Sequence, residues 1–296
     1  MSALENLDPT QKASVLIEAL PYIQRFRGSI FVIKYGGSFM DDPDPVMRGR
    51  VATDVAFLAS VGIRVVVVHG GGKAITRALD AAGIEAEFVK GLRKTSKEAV
   101  SVVEETLNGD VNLDVCNLVQ SAKGTPLAIH GNKVLQCKTL TKDSNGEPID
   151  IGYVGKVTDV FTRPILRALD EGYTPIVSPV AVDKSGQAHN VNADVAAAHV
   201  AMALHARRLV YMSDVPGLME DPAKPETLIS SLAVSEVPGL KEQGVIAKGM
   251  LPKVDSAVEA LRTGVHRVHF VDGRIPHSVL LEIFTHSGIG TELVNS

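Results

Sequence analysis

The chain has 296 residues, and 30 Lys and Arg against 34 Asp and Glu leave a formal charge of −4, so no single-sign field marks it for nucleic acid or an anionic membrane. It is 45% apolar and 22% charged, with 26 Gly and 15 Pro, ordinary globular proportions that exclude collagenous, mucin-like and broadly disordered chains. Aromatic residues make up only 4%, without Trp, so a core must come from Val, Leu, Ile and Ala, the usual content of buried parallel strands and their covering helices.

In chain order, Val15, Leu16, Ala19, Leu20 and Ile23 recur at helical spacing and predict an amphipathic helix within 1–27, bent at Pro21. It reads either as a first helix folded onto its own domain or as an appendage. The runs SIFVIKYGGS and IRVVVVHGGG are continuously apolar, the mark of strands covered on both faces. Helices follow them, near 45–60 and from Lys73 to a stop at Gly83. Residues 86–95 read as a strand-like segment and 96–122 as two helical patterns. The short runs LAIHG, KVLQCKT and IGYVGKVTDV around the turn KDSNGEP predict antiparallel hairpins decorating the sheet. A second α/β half follows: helix PILRALDEG, strand TPIVSPV, the Ala-rich helix ADVAAAHVAMALHA and strand RLVYMSDVPG. Residues 219–248 read as loop and short helix, and then come a helix near 250–262, the strand HRVHFVDG and the helix HSVLLEIF. No tandem repeat or low-complexity linker is present, and the pattern divides into two lobes near residue 180. The fold class expected is α/β.

Cys116 and Cys137 give neither a disulfide framework nor zinc-ligand spacing. The opening MSALENLDPTQK carries acids where a secretory signal carries positive charge. The longest uncharged apolar stretch, 195–206, is far short of the roughly 20 residues of a membrane span. A soluble cytoplasmic protein without membrane or nucleic-acid partners is expected.

The chemistry should lie in the turns at the carboxyl ends of the strands. Lys34 closes an apolar strand, where a lysine either snorkels at the edge or faces an anionic site; the paired Gly36 and Gly37 after it allow close approach of a ligand to the backbone. His69-Gly70-Gly71-Gly72-Lys73 joins a strand to a helix N-terminus, a ready site for carboxylate or phosphate. It is not a Walker A loop, which would need Gly at Val67 and Ser or Thr at Ala74, nor a dinucleotide fingerprint, which would need Gly at Ile75. Arg93 is either a surface charge or a bidentate carboxylate clamp. Asn192 and Asp194 open the Ala-rich helix as a capping residue and a first-turn acid, with Asn190 left over. Lys253 sits in the first turn of another helix, where a cation opposes the dipole and hints at a nearby anion. His266 and His269 face opposite sides of a strand and form no metal pair.

KYGGS, HGGGK, GLRKT, NVNAD, SDVPG and GMLPK, in this order and at these separations, resemble the amino-acid kinase superfamily and, within it, the N-acetylglutamate kinase family of arginine biosynthesis, over about residues 30–294. The resemblance implies an open, mostly parallel sheet sandwiched by helices. Residues 28–180 would form an N-terminal lobe for the acyl amino acid and dimerisation, and 181–296 a C-terminal lobe for ATP and arginine. It implies that Gly71 and Gly72 bind N-acetyl-L-glutamate through backbone N–H groups, that Arg93 holds its α-carboxylate and that Asn190 helps to position it. Lys34 and Lys253 would stabilise the transferring phosphoryl group from opposite sides, with Asp194 orienting both. ATP with Mg²⁺ would be the donor, with no protein ligand to the metal implied. Gly36, Gly37, Asp214, Val215, Pro216, Gly217, Leu218, Met219, Val245, Ile246 and Ala247 match stretches that surround the nucleotide. The family has an arginine-inhibited branch built as a hexamer, a trimer of dimers linked by an extra N-terminal helix. This chain resembles that branch through the helix around 12–26, through Tyr22, and through His269, Glu282 and Gly288 as an arginine site, which would make 1–27 a contact between protomers.

Overall fold

The computed structural model describes residues 8–36, 40, 42, 44–143, 146–221, 223–247 and 249–295. The chain runs through α1 (Pro9–Phe26), β1 (Ile30–Tyr35), α2 (Pro45–Ser60), β2 (Arg64–His69), α3 (Gly72–Ala81), β3 (Phe88–Val89), β4 (Leu92–Arg93), α4 (Lys97–Thr106), α5 (Asn112–Ser121), β5 (Pro126–Ile129), β6 (Leu135–Thr139), β7 (Gly155–Val160), α6 (Thr162–Asp170) and β8 (Thr174–Val177). It continues through β9 (Val180–Val182), β10 (Ala188–Asn190), α7 (Ala193–Ala203), β11 (Arg208–Ser213), β12 (Ser231–Ala233), α8 (Val237–Glu242), α9 (Met250–Arg262), β13 (Arg267–Asp272), α10 (Ser278–Phe284) and β14 (Thr291–Val294).

Eight strands form the main sheet in the order β12-β14-β13-β11-β1-β2-β8-β5. Its pairs are parallel except β13 with β14. The fold is therefore α/β, a mostly parallel sheet flanked by helices. Because β1 pairs with β11, strands from either side of residue 180 share one sheet. Side chains of a strand alternate between faces, and β1 shows what this does. Phe31, Ile33 and Tyr35 join a core with residues of α2, α5 and α10, whereas Val32 joins a core with residues of α6, α7 and α9. Lys34 thus falls on the α7 side. The alanines of α7, Ala196, Ala197, Ala198 and Ala201, are fully buried there and let the helix lie close to the sheet.

Several elements differ from the sequence expectation. LAIHG is not a hairpin arm: β5 is the parallel edge strand beside β8, while β6 with β7 and β9 with β10 pair antiparallel in a separate four-stranded sheet. The strand-like segment near 86–95 is a two-residue hairpin, β3 with β4, turning at Lys90 and Gly91, both at positive φ. The two helical patterns of 96–122 are joined without a break by a π-helical turn, Leu107–Val111. Strands β12 and β14 were not anticipated, being three and four residues long.

The N-terminal helix is present and begins earlier than expected, at Pro9, where the Asp8 carboxylate accepts the N–H groups of Thr10 and Gln11 in a capping box. Tyr22, Ile23 and Phe26 near its end pack on the core, while Val15, Leu16, Ile17 and Leu20 are exposed. Among the described residues no helix is long and apolar enough to cross a membrane.

Candidate active site

Strands β1 and β2 lie side by side and parallel, so the turns at their carboxyl ends meet. A Cβ on Gly70 would lie 3.4 Å from Gly36 Cα, and the Gly70 N–H donates to the Tyr35 carbonyl at 2.7 Å. A Cβ on Gly36 would lie 2.7 Å from Lys34 Nζ, so a larger residue there displaces the ammonium group. Gly37 lies outside the described residues. Helix α3 starts at Gly72 without a side-chain cap, and a Cβ on its N-cap residue, Gly71, would meet Leu107 Cδ2 at 2.6 Å. The N–H groups of Gly71 and Gly72 have no partner among the described residues, as the first turn of a helix dictates. That leaves an anion-binding corner at the end of β2.

Opposite this corner stands the start of α7. Asn192 caps the helix by accepting the N–H groups of Asp194 and Val195, and the Tyr211 hydroxyl donates to the Asp194 carbonyl at 3.2 Å. The first-turn acid so fixed is more than a dipole partner. Asp194 Oδ1 lies 3.0 Å from Lys34 Nζ, and Asp194 Oδ2 accepts a hydrogen bond from Lys253 Nζ in the first turn of α9. Lys34 and Asp194 are only 8% and 6% exposed. Burial alone pushes the Asp194 carboxyl up, but the two ammonium groups prevail and hold it below its ordinary value. Burial pushes Lys34 down; Asp194 opposes this and Lys253 adds to it.

These turns line a cavity of about 520 Å³ that includes Lys34, Gly71, Gly72, Arg93, Asn190 and Asp194. Arg93 Nη2 donates to Gly72 O and Thr76 Oγ1 at 2.9 and 2.8 Å, its guanidinium lies 4.6 Å from the Phe88 ring centroid, and its Nη1 is buried without a partner. Asn190 donates to Thr95 Oγ1 at 3.3 Å. Sequence reasoning missed Thr76, Phe88, Thr95 and Tyr211. Only Tyr211 carried a signal, as a hydroxyl within the apolar run from Leu209 to Met212.

Of residues 214–219 and 245–247, expected around a nucleotide, Asp214 alone is among the lining residues of this cavity. Val215, Pro216, Met219, Val245 and Ala247 keep some exposure; Gly217 is buried, and the side chains of Leu218 and Ile246 are in the core. Away from this cavity, His269 of β13, Glu282 of α10 and Gly288 come together. His269 Nδ1–H donates to Glu282 Oε1 at 2.7 Å, and Glu282 Oε2 accepts the N–H groups of Ile289 and Gly290. A Cβ on Gly288 would lie 2.6 Å from Glu282 Oε2. Tyr22 packs edge-on against Phe284 of the same helix as Glu282.

Residues 29–272 match the Amino acid kinase family. The acetylglutamate kinase of Akkermansia muciniphila is 46% identical over 286 residues, covering 96% of either chain. Among solved structures, the N-acetylglutamate synthase of Neisseria gonorrhoeae with coenzyme A and N-acetyl-glutamate superposes with a TM-score of 0.82 at 28% identity. That match covers 96% of this chain and 63% of the synthase. The synthase with coenzyme A and L-arginine gives a TM-score of 0.79 at 28% identity over 96% of this chain and 65% of that one.

The charge centre sets a measurable titration. Followed by NMR at its ε-carbon, Lys34 should lose its proton, as pH rises, below the ordinary lysine value of 10.5, and Asp194→Asn should lower that midpoint further by removing the stronger of the two opposing carboxylates, Asp194 and Asp214. A Lys34 midpoint at or above 10.5, or one unmoved by Asp194→Asn, contradicts this reading of the site.

Proposed function

Since the chain belongs to the amino acid kinase family, we propose that it transfers the γ-phosphoryl group of ATP to the side-chain carboxylate of N-acetyl-L-glutamate. The products are N-acetyl-L-glutamyl 5-phosphate and ADP, the second step of arginine biosynthesis, formed by direct in-line transfer. The observation that carries this reading is the single carboxylate of Asp194 shared by two lysines, which leaves one surplus positive charge beside the anion-binding corner of Gly71 and Gly72.

The reaction brings a carboxylate onto a phosphate that is itself negative, so charge rather than bond making is the main obstacle. A lysine about 4 Å from developing charge is worth about 4 kcal/mol at an effective dielectric near 20. If realised only in the transition state, about 4 kcal/mol is roughly a thousandfold in rate. Lys34 and Lys253 supply this charge from opposite sides, and Asp194 keeps both aimed. The N–H groups of Gly71 and Gly72 and the unpartnered Arg93 Nη1 suit the carboxylates of the acyl amino acid, with Asn190 orienting it. Gly36, Gly37, residues 214–219 and residues 245–247 are the candidate residues around the nucleotide. No protein ligand is assigned to Mg²⁺, an ion that is commonly held by substrate phosphates and water with few protein groups. When bound, the ion neutralises charge on the β- and γ-phosphates. No covalent enzyme intermediate is required, and the cleft must exclude water from an acyl phosphate.

We assign 28–180 to substrate binding and dimerisation and 181–296 to ATP and arginine, in a cytoplasmic protein whose two cysteines are free. Feedback inhibition by arginine follows the resemblance of the N-terminal helix and is supported by the fold shared with an arginine-bound synthase. Tyr22, His269, Glu282 and Gly288 are its candidate residues. The exposed face of α1 is the candidate contact that links dimers into a hexamer.

In a coupled ADP-release assay, N-acetylglutamate should be turned over in preference to carbamate, glutamate, aspartate and UMP, and Lys34→Ala should lower kcat by about a thousandfold with little change in substrate affinity. Unchanged turnover in the variant, or preference for another acceptor, contradicts the proposal. Removal of residues 1–26 should leave activity, reduce the assembly to dimers in sedimentation and blunt inhibition by arginine; a truncated chain that still sediments as a hexamer contradicts the assembly.

A further inference from the structure

His69 closes β2, is fully buried, and has no part in the reaction as described so far. Its Nδ1 lies 2.7 Å from the carbonyl oxygen of Gly70. A carbonyl only accepts, so Nδ1 carries the proton and Nε2 carries the lone pair. The Asn112 side chain meets that lone pair correctly, with Nδ2 3.2 Å from His69 Nε2 and 2.9 Å from Ile176 O. Asn112 Oδ1 in turn accepts from the Cys116 thiol at 3.7 Å, which leaves the amide only one sensible orientation. Asn112 is itself fully buried and follows directly on the π-helical turn whose Leu107 and Val111 abut Gly71.

We propose that His69 is the positioning residue of the substrate-binding turn: by holding the Gly70 carbonyl, it points the Gly71 N–H into the cavity. The peptide between Gly70 and Gly71 is trans, and in a trans peptide the C=O and the following N–H point in opposite directions. Gripping one end therefore aims the other. Both polar groups of Gly70 are then engaged, its N–H on Tyr35 O and its carbonyl on His69, so the turn cannot rotate its peptide to satisfy itself. A glycine turn is otherwise free to do so. Burial pushes the imidazole down to about 4, so the ring stays neutral in the tautomer that Asn112 selects. His69 touches neither substrate nor reacting atoms; it acts through the peptide.

This inference rests on N-acetylglutamate as the ligand of Gly71, and its test separates the two claims. His69→Asn keeps a donor near the Nδ1 position, whereas His69→Gln places its amide near Nε2. With the full chain, His69→Gln should weaken N-acetylglutamate binding in calorimetry by about tenfold, the worth of one hydrogen bond to a charged group, while His69→Asn stays within about threefold of wild type. In both variants kcat and the KM for MgATP should stay within about threefold. Tight binding by His69→Gln, equal losses in the two variants, or a parallel loss for MgATP overturns the positioning role. Wild-type chain labelled with ¹⁵N provides a reading that needs neither variant nor substrate. An imidazole protonated at Nδ1 and bare at Nε2 at neutral pH supports the role; the other tautomer or the imidazolium overturns it. A wild type that does not bind N-acetylglutamate overturns the proposed function, and the ring tautomer then decides His69 alone.

Discussion

Two ammonium groups from distant parts of the chain share one buried carboxylate, and the rest of the site is arranged around that constraint. Lys34 comes from the central strand of the sheet, Lys253 from the first turn of α9, and Asp194 from the first turn of α7. None of the three is stable there alone. An unpaired charge at such burial shifts its pKa or disrupts its surroundings. Together they still carry one positive charge in excess, and this excess is what a transferring phosphoryl group would meet. The lysine in the first turn of α9, unfavourable against the helix dipole, is accounted for by the same carboxylate.

The scaffold delivers these groups by simple rules. The two-residue period of β1 turns Lys34 toward α7 rather than α2, and the alanines of α7 bring its first turn near the sheet. Asn192 and Tyr211 then hold the helix start at both backbone polar groups of Asp194, its N–H and its carbonyl. The parallel pairing of β1 and β2 sets their glycine turns against each other, so Gly36 makes room for the Lys34 ammonium while Gly71 and Gly72 present N–H groups. Crossing from one chain half to the other within a single sheet pairs Lys34 with Tyr211, whose hydroxyl holds the Asp194 carbonyl, and so brings lysine and carboxylate together despite their separation in sequence.

Much of this was legible before any coordinates. Lys34 stood out because a lysine in an aliphatic strand needs a reason, and the glycine runs because packing alone does not call for them. Asp194 was legible only as a first-turn acid; its pairing with two lysines depends on a tertiary approach that local pattern does not encode, and the resemblance to known kinases supplied it. Phe88, Thr76 and Thr95 carried no signal, since stacking on Arg93 and bonding to Arg93 or Asn190 follow from the fold. The strand content was misjudged where runs are short. β5 looked like a hairpin arm because its partner, β8, lies far along the chain, and β12 pairs only with β14, some sixty residues later, so neither three- nor four-residue run carries a local pairing signal. The π-helical turn was invisible because its residues continue a helical pattern, yet it sets Leu107 and Val111 against Gly71.

The most direct test of the shared-carboxylate account is a crystal structure of the chain with MgADP, a planar metal-fluoride mimic of the phosphoryl group and N-acetylglutamate. The account predicts the Lys34 and Lys253 ammonium groups on opposite sides of the mimic, each about 3 Å from a fluoride, with Asp194 still joining them. A mimic approached by neither lysine, or by both from one side with Asp194 detached, would contradict it.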